Sequence, residues 1–351
     1  MTLTHLTRIP SIMFGLLLGS ACEKGGSGFS VLSSTNQFEQ TSTYVPRKLD
    51  VLFVVDNSGS MQSSQASLAV NFPSFINFFK TKGYDFKIAV TTTDAYYGDQ
   101  FVNSGCGSLC SLAQTRFRSG VNPNVFTIDR NTANLESVFA ANVNVGTGGS
   151  GDERAFSSFR AALNSSLNAG FHRSDAYLSV VIVSDEEDFS HNTMFRDESY
   201  TQPDLHSVAS YKTFLQDFTS GVANSDFSVS IIAVLDEACR LTLSGGQKIA
   251  TRYMQLADLT GGSKNSICNS FDQVLNNVSQ TLATQTQPQF VLSRRPVPSS
   301  LRVMVGGVLV NESLTNGWSY DAVSNSVLLY GGAVPASGSI VTINFDPASV
   351  N

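Results

Sequence analysis

The chain has 351 residues, with 22 Lys and Arg against 28 Asp and Glu, and only 14% of its residues are charged beside 42% apolar. A soluble domain carries roughly 25% charged residues, so this surface is rich in neutral polar groups, as suits a protein outside the cytoplasm. A net charge of −6 leaves no basic surplus to neutralise phosphates, which excludes a nucleic-acid binder, and the 24 Phe argue against disorder.

In chain order, residues 1–21 read as a secretory signal: Arg8 gives a positive start, Ile12 to Leu18 is apolar, and Gly19-Ser20-Ala21 is a small-residue cleavage stretch. The run Leu16-Leu17-Leu18-Gly19-Ser20-Ala21-Cys22 resembles a bacterial lipobox, which implies lipidation of Cys22 and attachment to a membrane through lipid alone. Residues 22–46 are rich in Gly, Ser and Thr without an apolar face, and read as a flexible tether.

Regular alternation begins after Lys48. Leu49 to Val55 is an almost unbroken apolar run, as expected of a strand buried on both faces. Helical spacing of Leu68, Phe72, Phe75 and Phe79 follows within Ser63–Lys80. Phe86–Thr92, Tyr177–Val183 and Phe227–Leu235 read as further strands. Helices are predicted over Asn134–Val143, Asp152–Leu167, Leu205–Phe218, Lys248–Leu259 and Ser270–Leu282. Strands alternating with helices predict an α/β fold, a doubly wound and mainly parallel sheet, over residues 47–285. From 286 to 351, short strand-like runs separated by Gly306-Gly307, Asn316-Gly317 and Gly331-Gly332 predict a small β-sandwich-like module, with Trp318 in its core.

The most informative segment is Asp56-Asn57-Ser58-Gly59-Ser60-Met61, directly after the first buried strand. Oxygen side chains at positions 56, 58 and 60 alternate along a loop leaving the carboxyl end of a strand, where open α/β sheets place their ligands. Oxygen donors without nearby Cys or His suit a hard divalent cation: Mg²⁺ first, with Ca²⁺ or Mn²⁺ as alternatives. Two hydroxyls leave such an ion electron-poor, with a position open to an acidic group of a partner. Ser and Gly there also fit an ordinary turn and helix cap.

Asp-x-Ser-x-Ser after a buried strand resembles the metal-ion-dependent adhesion site of von Willebrand factor A domains. Val180-Val-Ile-Val-Ser-Asp185 and Leu256-Ala-Asp-Leu-Thr-Gly-Gly262 match further segments of that family in the same order. The resemblance implies a Rossmann-like sheet with the strands carrying Asp56 and Asp185 side by side. It also implies a cation held by Asp56, Ser58, Ser60, Ser150 and Asp185, with Thr147 as the fallback for Ser150. The loop after Asp185 would form a ligand rim through Glu186, Phe189, Met194 and Phe195; its aromatics tucked underneath is the plainer alternative.

Two cysteine pairs in an exported chain read as disulfides, here Cys106–Cys110 and Cys239–Cys268; a zinc site is the rival. No hydrolase elbow, zinc-protease motif or phosphate loop occurs. The expectation is a non-enzymatic adhesin-like lipoprotein, exported to the outer membrane, cell surface or periplasm. It would capture a protein carboxylate or a glycan oxygen through the ion. The alternatives are an assembly subunit of an envelope or secretion machine using the same site for a permanent partner, and a hydrolase using Ser58 or Ser60.

Overall fold

The computed structural model describes residues 38–101, 115–219, 226–243 and 247–348. Cys22, Cys106 and Cys110 lie outside them, as do the signal and most of the tether. The strands of the α/β part are β2 (Lys48–Val55), β3 (Phe86–Thr92), β4 (Ile128–Asp129), β5 (Ala176–Val183), β6 (Phe227–Ala233) and β7 (Lys264–Ser266). They form one sheet in the order β4-β3-β2-β5-β6-β7. All neighbours are parallel except the β3–β4 pair, where the two-residue β4 closes one edge antiparallel. The sheet is thus mixed, with its parallel part as expected.

Strand β2 alternates its apolar side chains between two cores. Leu49, Val51, Phe53 and Val55 face one, and Leu52 and Val54 the other. The first core is covered by α1 (Gln62–Lys82), α3 (Leu135–Val143) and α8 (Phe271–Gln285). There the Phe53 ring centroid lies 5.1 Å from Phe139 and 5.5 Å from Phe75, and Phe72 stacks on Phe139 at 3.6 Å. Each such side chain, fully buried, contributes roughly 1.5–3 kcal/mol. The second core is covered by α4 (Ala155–Asn164), α5 (Val208–Phe218) and α7 (Thr251–Thr260). Between these helices lie two short ones, α2 (Ala95–Gln100) and α6 (Glu237–Arg240); sequence periodicity missed both, because six and four residues carry too few turns to show it. Helix α4 starts three residues later than the pattern predicts, since Asp152, Glu153 and Arg154 are used by the loop before it.

The Leu-Ala-x-x-Thr-Gly-Gly segment has a packing reason. Thr260 Oγ1 accepts the Val229 N–H at 2.9 Å, and a Cβ on Gly262 would stand 1.9 Å from the Val229 carbonyl oxygen. Only glycine lets α7 turn this tightly onto β6.

The C-terminal module is a two-sheet β structure, but it begins earlier than residue 286. Phe38–Thr43, here β1, pairs antiparallel with β13 (Ile340–Phe345) over its whole length, from Phe38↔Phe345 to Thr43↔Ile340. The four-stranded sheet runs β1-β13-β9-β10, with β9 at Arg302–Val305 and β10 at Val308–Val310. The three-stranded sheet runs β11-β12-β8, from Trp318–Asp321, Ser326–Leu329 and Gln289–Val291. This corrects the reading of residues 22–46 as tether throughout: the α/β domain is inserted between β1 and β8. The strand hid because Phe38-Glu-Gln-Thr-Ser-Thr43 is an edge strand of polar residues. Its only cue is alternation, half-buried at Phe38, Gln40 and Ser42 and exposed between. Gln40 joins the two sheets, donating to the Val291 carbonyl oxygen at 2.8 Å and accepting the Ser293 N–H at 3.1 Å. Trp318 is buried in the module core, as expected, and its indole N–H donates to the Val310 carbonyl at 3.0 Å.

Cys239 and Cys268 form the expected disulfide, with Cα atoms 5.7 Å apart. It ties the segment after β6 to the end of β7, which is held by three residue pairs alone. Closing a loop of 29 residues constrains the unfolded chain by about 3–4 kcal/mol. The Cys239→Ala/Cys268→Ala variant should therefore unfold at lower denaturant in equilibrium unfolding, by about 2–4 kcal/mol. An unchanged midpoint would show that β7 needs no such tie.

Candidate metal centre

Strands β2 and β5 are paired along their full length, ending at Val55↔Val183. Asp56 and Ser184-Asp185 therefore leave the same sheet edge side by side, and the Asp56 N–H donates to the Val183 carbonyl at 3.0 Å. This is the point where chain order reverses, β3 lying on one side of β2 and β5 on the other, the place where such sheets open a crevice.

Asp56 is the floor of the site and has no exposed surface. Its Oδ1 accepts the Ser58 N–H and its Oδ2 the Ser184 hydroxyl, both at 2.7 Å. Above it, Ser58 Oγ lies 3.2 Å from Ser60 Oγ, and the Ser60 hydroxyl donates to Asp185 Oδ1 at 3.0 Å. Ser60 is exposed while Ser58 and Asp185 are buried, so the group opens to solvent on one side. Asp56, Ser58, Ser60 and Asp185, identified in the sequence, are thus brought together. Gln65, at the start of α1, braces the site by donating to the carbonyl oxygens of Asp56 (2.9 Å) and Gly146 (2.8 Å).

The second loop is held against the first by its backbone. Gly149 N–H donates to the Asn57 carbonyl at 2.8 Å, and a Cβ there would meet Asn57 Nδ2 at 2.4 Å. Ser150, the residue expected to serve the ion, makes hydrogen bonds within its own loop and to Asp94. Its hydroxyl accepts the Asp152 N–H at 3.1 Å, and its own N–H donates to Asp94 Oδ2 at 2.9 Å. Among the described residues no hydrogen bond joins Ser150 Oγ to Ser58, Ser60 or Asp185. Thr147, the fallback, is exposed.

Sequence reasoning missed two acids at the site. Asp94 follows β3, so the rule that ligands gather at carboxyl ends of parallel strands could have found it. Glu153 precedes α4 and is 1% exposed, and neither carboxylate oxygen makes a hydrogen bond. The neighbouring Thr93 hydroxyl has its one proton committed to Asn57 Oδ1 at 3.2 Å. The buried cations are spoken for: Arg154 pairs with Asp152 and Arg252 with Asp188. Among the described residues none of Asp56, Asp94, Glu153 and Asp185 is ion-paired.

Burial shifts the carboxyls of this site upward. Burial raises Asp56 to about 6, against hydrogen bonds from Ser58 and Ser184. Burial also raises Asp94 to about 6 and Glu186 to about 7, the latter helped by the charges of Asp56 and Asp185. Glu153 is pushed well above the usual range by burial and by Asp56, and Asp185 is raised by burial.

The residues fit a hard cation. A metal–oxygen distance of about 2.1 Å places neighbouring oxygens of an octahedron about 3.0 Å apart, close to the Ser58–Ser60 and Ser60–Asp185 separations. Among the described residues no three Asp, Glu, His or Cys side chains close on one point, so the donors around such an ion are hydroxyls, one or two carboxylates and water. Among the described residues His191 and His206 bond to Phe189 and Tyr211, His172 stands beside Asp50, and no hydrogen bond joins Ser58 or Ser60 to a histidine.

The rim is half as expected. Glu186 is half-buried and Phe195 is 78% exposed. Met194 packs on the cluster of Tyr96, Tyr97 and Phe101. Phe189 does not belong there: it is 1% exposed, lying under Tyr200 with the Lys248 ammonium over its ring. Its loop is drawn inward because Glu187 accepts the Arg252 backbone N–H and Asp188 pairs with the Arg252 side chain. A cleft of about 700 Å³ between α1 and α8, lined by Pro73, Asn77, Glu136 and Asn276, holds none of the site residues.

No family model matches this chain and no curated protein matches its sequence. Among solved structures it is similar to the pilus adhesin SpaC from Lactobacillus rhamnosus GG, at 12% identity and a TM-score of 0.44, covering 88% of this chain and 40% of that one. It is similar to proximal thread matrix protein 1 from the mussel byssus, at 12% identity and a TM-score of 0.39, covering 71% and 51%. The pilus adhesin RrgA from Streptococcus pneumoniae matches at 9% identity and a TM-score of 0.36, covering 88% and 58%. The chain spans less than two thirds of each, and likeness at this level assigns neither family nor activity.

Two outcomes test this geometry. Gly149→Ala should separate the two loops, cost about 1–3 kcal/mol in denaturant unfolding and weaken Mn²⁺ binding followed by electron paramagnetic resonance. Unchanged binding would mean that the loops need not touch. For pH, a carboxyl raised in the folded state gives stability that is full below its unfolded value near 4 and is lost as pH rises through its folded value. Without divalent cations, thermal melts should show wild-type stability falling from pH about 4 to about 7, by up to about 3 kcal/mol for Asp56. Asp56→Asn should flatten that slope; equal slopes would contradict the burial of an ionisable Asp56.

Proposed function

We propose that this chain is a non-enzymatic, exported binding protein of the von Willebrand factor A type, which captures a protein or glycan ligand through a divalent cation. The observation that carries this reading is the convergence of Asp56, Ser58, Ser60 and Asp185 at one sheet edge, floored by a buried carboxylate and open to solvent at Ser60. The sheet order and the Leu-Ala-x-x-Thr-Gly-Gly turn support it. Mg²⁺ suits the site best, since hydroxyls at octahedral spacing and retained water are what that ion accepts.

The bound ion would supply an electrophile with a position open to an oxygen from outside. Asp56 holds the loop by accepting the Ser58 N–H, and thereby aims both serine hydroxyls. Asp185 orients Ser60. The exposed Phe195 and half-buried Glu186 would offer a partner apolar contact and charge discrimination. Lipidation at Cys22 would hold the domain at a membrane surface; among the described residues no helix is long and apolar enough to cross one.

Mn²⁺, a spectroscopic stand-in for Mg²⁺, should bind wild type with one site per chain. Asp56→Ala/Asp185→Ala should lose that binding by 100-fold or more (about 3 kcal/mol,), with unchanged circular dichroism, and should lose chelator-sensitive adhesion to immobilised matrix proteins and glycans. Retained Mn²⁺ binding in the double variant would remove the proposal.

A further inference from the structure

Asp185 is held by a residue from a third segment of the chain. Its Oδ1 accepts the Ser60 hydroxyl at 3.0 Å, and its Oδ2 accepts the side-chain amide N–H of Gln247 at 3.3 Å. Gln247 is buried and lies between α6 and α7, apart from the loops that carry Asp56 to Ser60 and Gly149 to Glu153. The residues after it are fixed to the rest of the fold. The Ala250 N–H donates to the Val234 carbonyl at 2.8 Å, and the Arg252 N–H donates to Glu187 at 2.9 Å. Lys248 pairs with Glu198, and its ammonium lies 4.9 Å from the centre of the Phe189 ring. The amide is thus presented to Asp185 from an anchored backbone. Its chemistry sets this contact apart. Asp50, Asp152 and Asp188, also buried, each meet an arginine, whereas Asp185 meets a hydroxyl and an amide, both neutral.

We infer that Gln247 is a positioning residue of the cation site, fixing the Asp185 carboxylate while leaving its negative charge for the ion. This rests on the metal-binding reading above. The last torsion of an aspartate is broad and two-fold, so one bond at Oδ1 would let the carboxylate turn; a second at Oδ2 holds its plane. Held this way, Asp185 takes the one proton of Ser60, and a hydroxyl that has given its proton still has lone pairs to offer a metal. A lysine or arginine in place of Gln247 would orient the carboxylate equally well. It would also bring the positive charge itself and compete with the ion. A neutral amide orients without competing.

The test is calorimetric titration of the whole protein with Mg²⁺, paired with thermal melts. Wild type should bind, and Gln247→Leu, close in size but without the amide, should bind about 10–100-fold more weakly with the same far-ultraviolet circular dichroism. Gln247→Lys should take up no Mg²⁺, yet melt in cation-free buffer at or above the wild-type temperature, because its ammonium supplies the charge that the ion brings. Wild type should melt higher when Mg²⁺ is added, and Gln247→Lys should not respond. Equal affinity of Gln247→Leu and wild type, or Mg²⁺ uptake by Gln247→Lys, would overturn the role of Gln247 and leave the cation site standing. A Gln247→Lys protein that melts well below wild type in cation-free buffer would make Gln247 a packing residue and overturn the inference as well. No Mg²⁺ uptake by wild type would overturn both readings. If Gln247→Leu does not fold, Gln247→Lys decides by the same two measurements.

Discussion

Two aspartates at opposite ends of one strand show what the site depends on. Asp50 lies near the start of β2 and Asp56 directly after its end, and both have no exposed surface. Asp50 is held by Arg173, whose Nε and Nη2 donate to Oδ1 at 3.0 and 2.7 Å while its backbone N–H donates to Oδ2 at 2.7 Å. Asp56 receives only a backbone N–H and a hydroxyl. The first carboxylate is a closed structural ion pair. The second has no cationic partner among the described residues, and Asp94, Glu153 and Asp185 add to the same charge. Burying an unpaired charge is costly, and under the proposed function a cation at this edge would be its partner.

The remaining structure keeps that edge in place. The aromatic core around Phe53, Phe72, Phe75 and Phe139 fixes β2 against α1, and α1 supplies Gln65 to bridge the two loops. Gly149 allows the second loop to lie on Asn57, and the pairing of β2 with β5 sets Asp185 beside Asp56. The β module lies away from this edge in the chain, built from both ends of the described sequence. Its β1–β13 pairing closes the polypeptide around the inserted domain, so the ends of the α/β domain are anchored in one sandwich.

What could be read in the sequence follows from burial. Strands buried on both faces are continuous apolar runs, so β2, β3, β5 and β6 are legible, and the side chains just beyond their carboxyl ends are legible with them. Asp56, Ser58, Ser60 and Asp185 belong to that class. The segment before α4 does not: the helix expected from Asp152 begins at Ala155, and Glu153 in the loop before it is buried. Phe189 was misplaced for a related reason. An acidic loop is normally solvated, but here Arg252 draws Glu187 and Asp188 inside and the ring follows. Strand β1 escaped because its stability comes from pairing with β13, 297 positions after residue 43 at the nearest register, and not from any apolar face of its own.

The central claim is that one cation sits between Ser58, Ser60 and Asp185, above Asp56. A crystal structure grown with Mn²⁺ tests it most directly through anomalous scattering. The account predicts a single strong peak about 2.2 Å from Ser58 Oγ and Ser60 Oγ. An anomalous map with no peak there, at a Mn²⁺ concentration that saturates any site in solution, would contradict it.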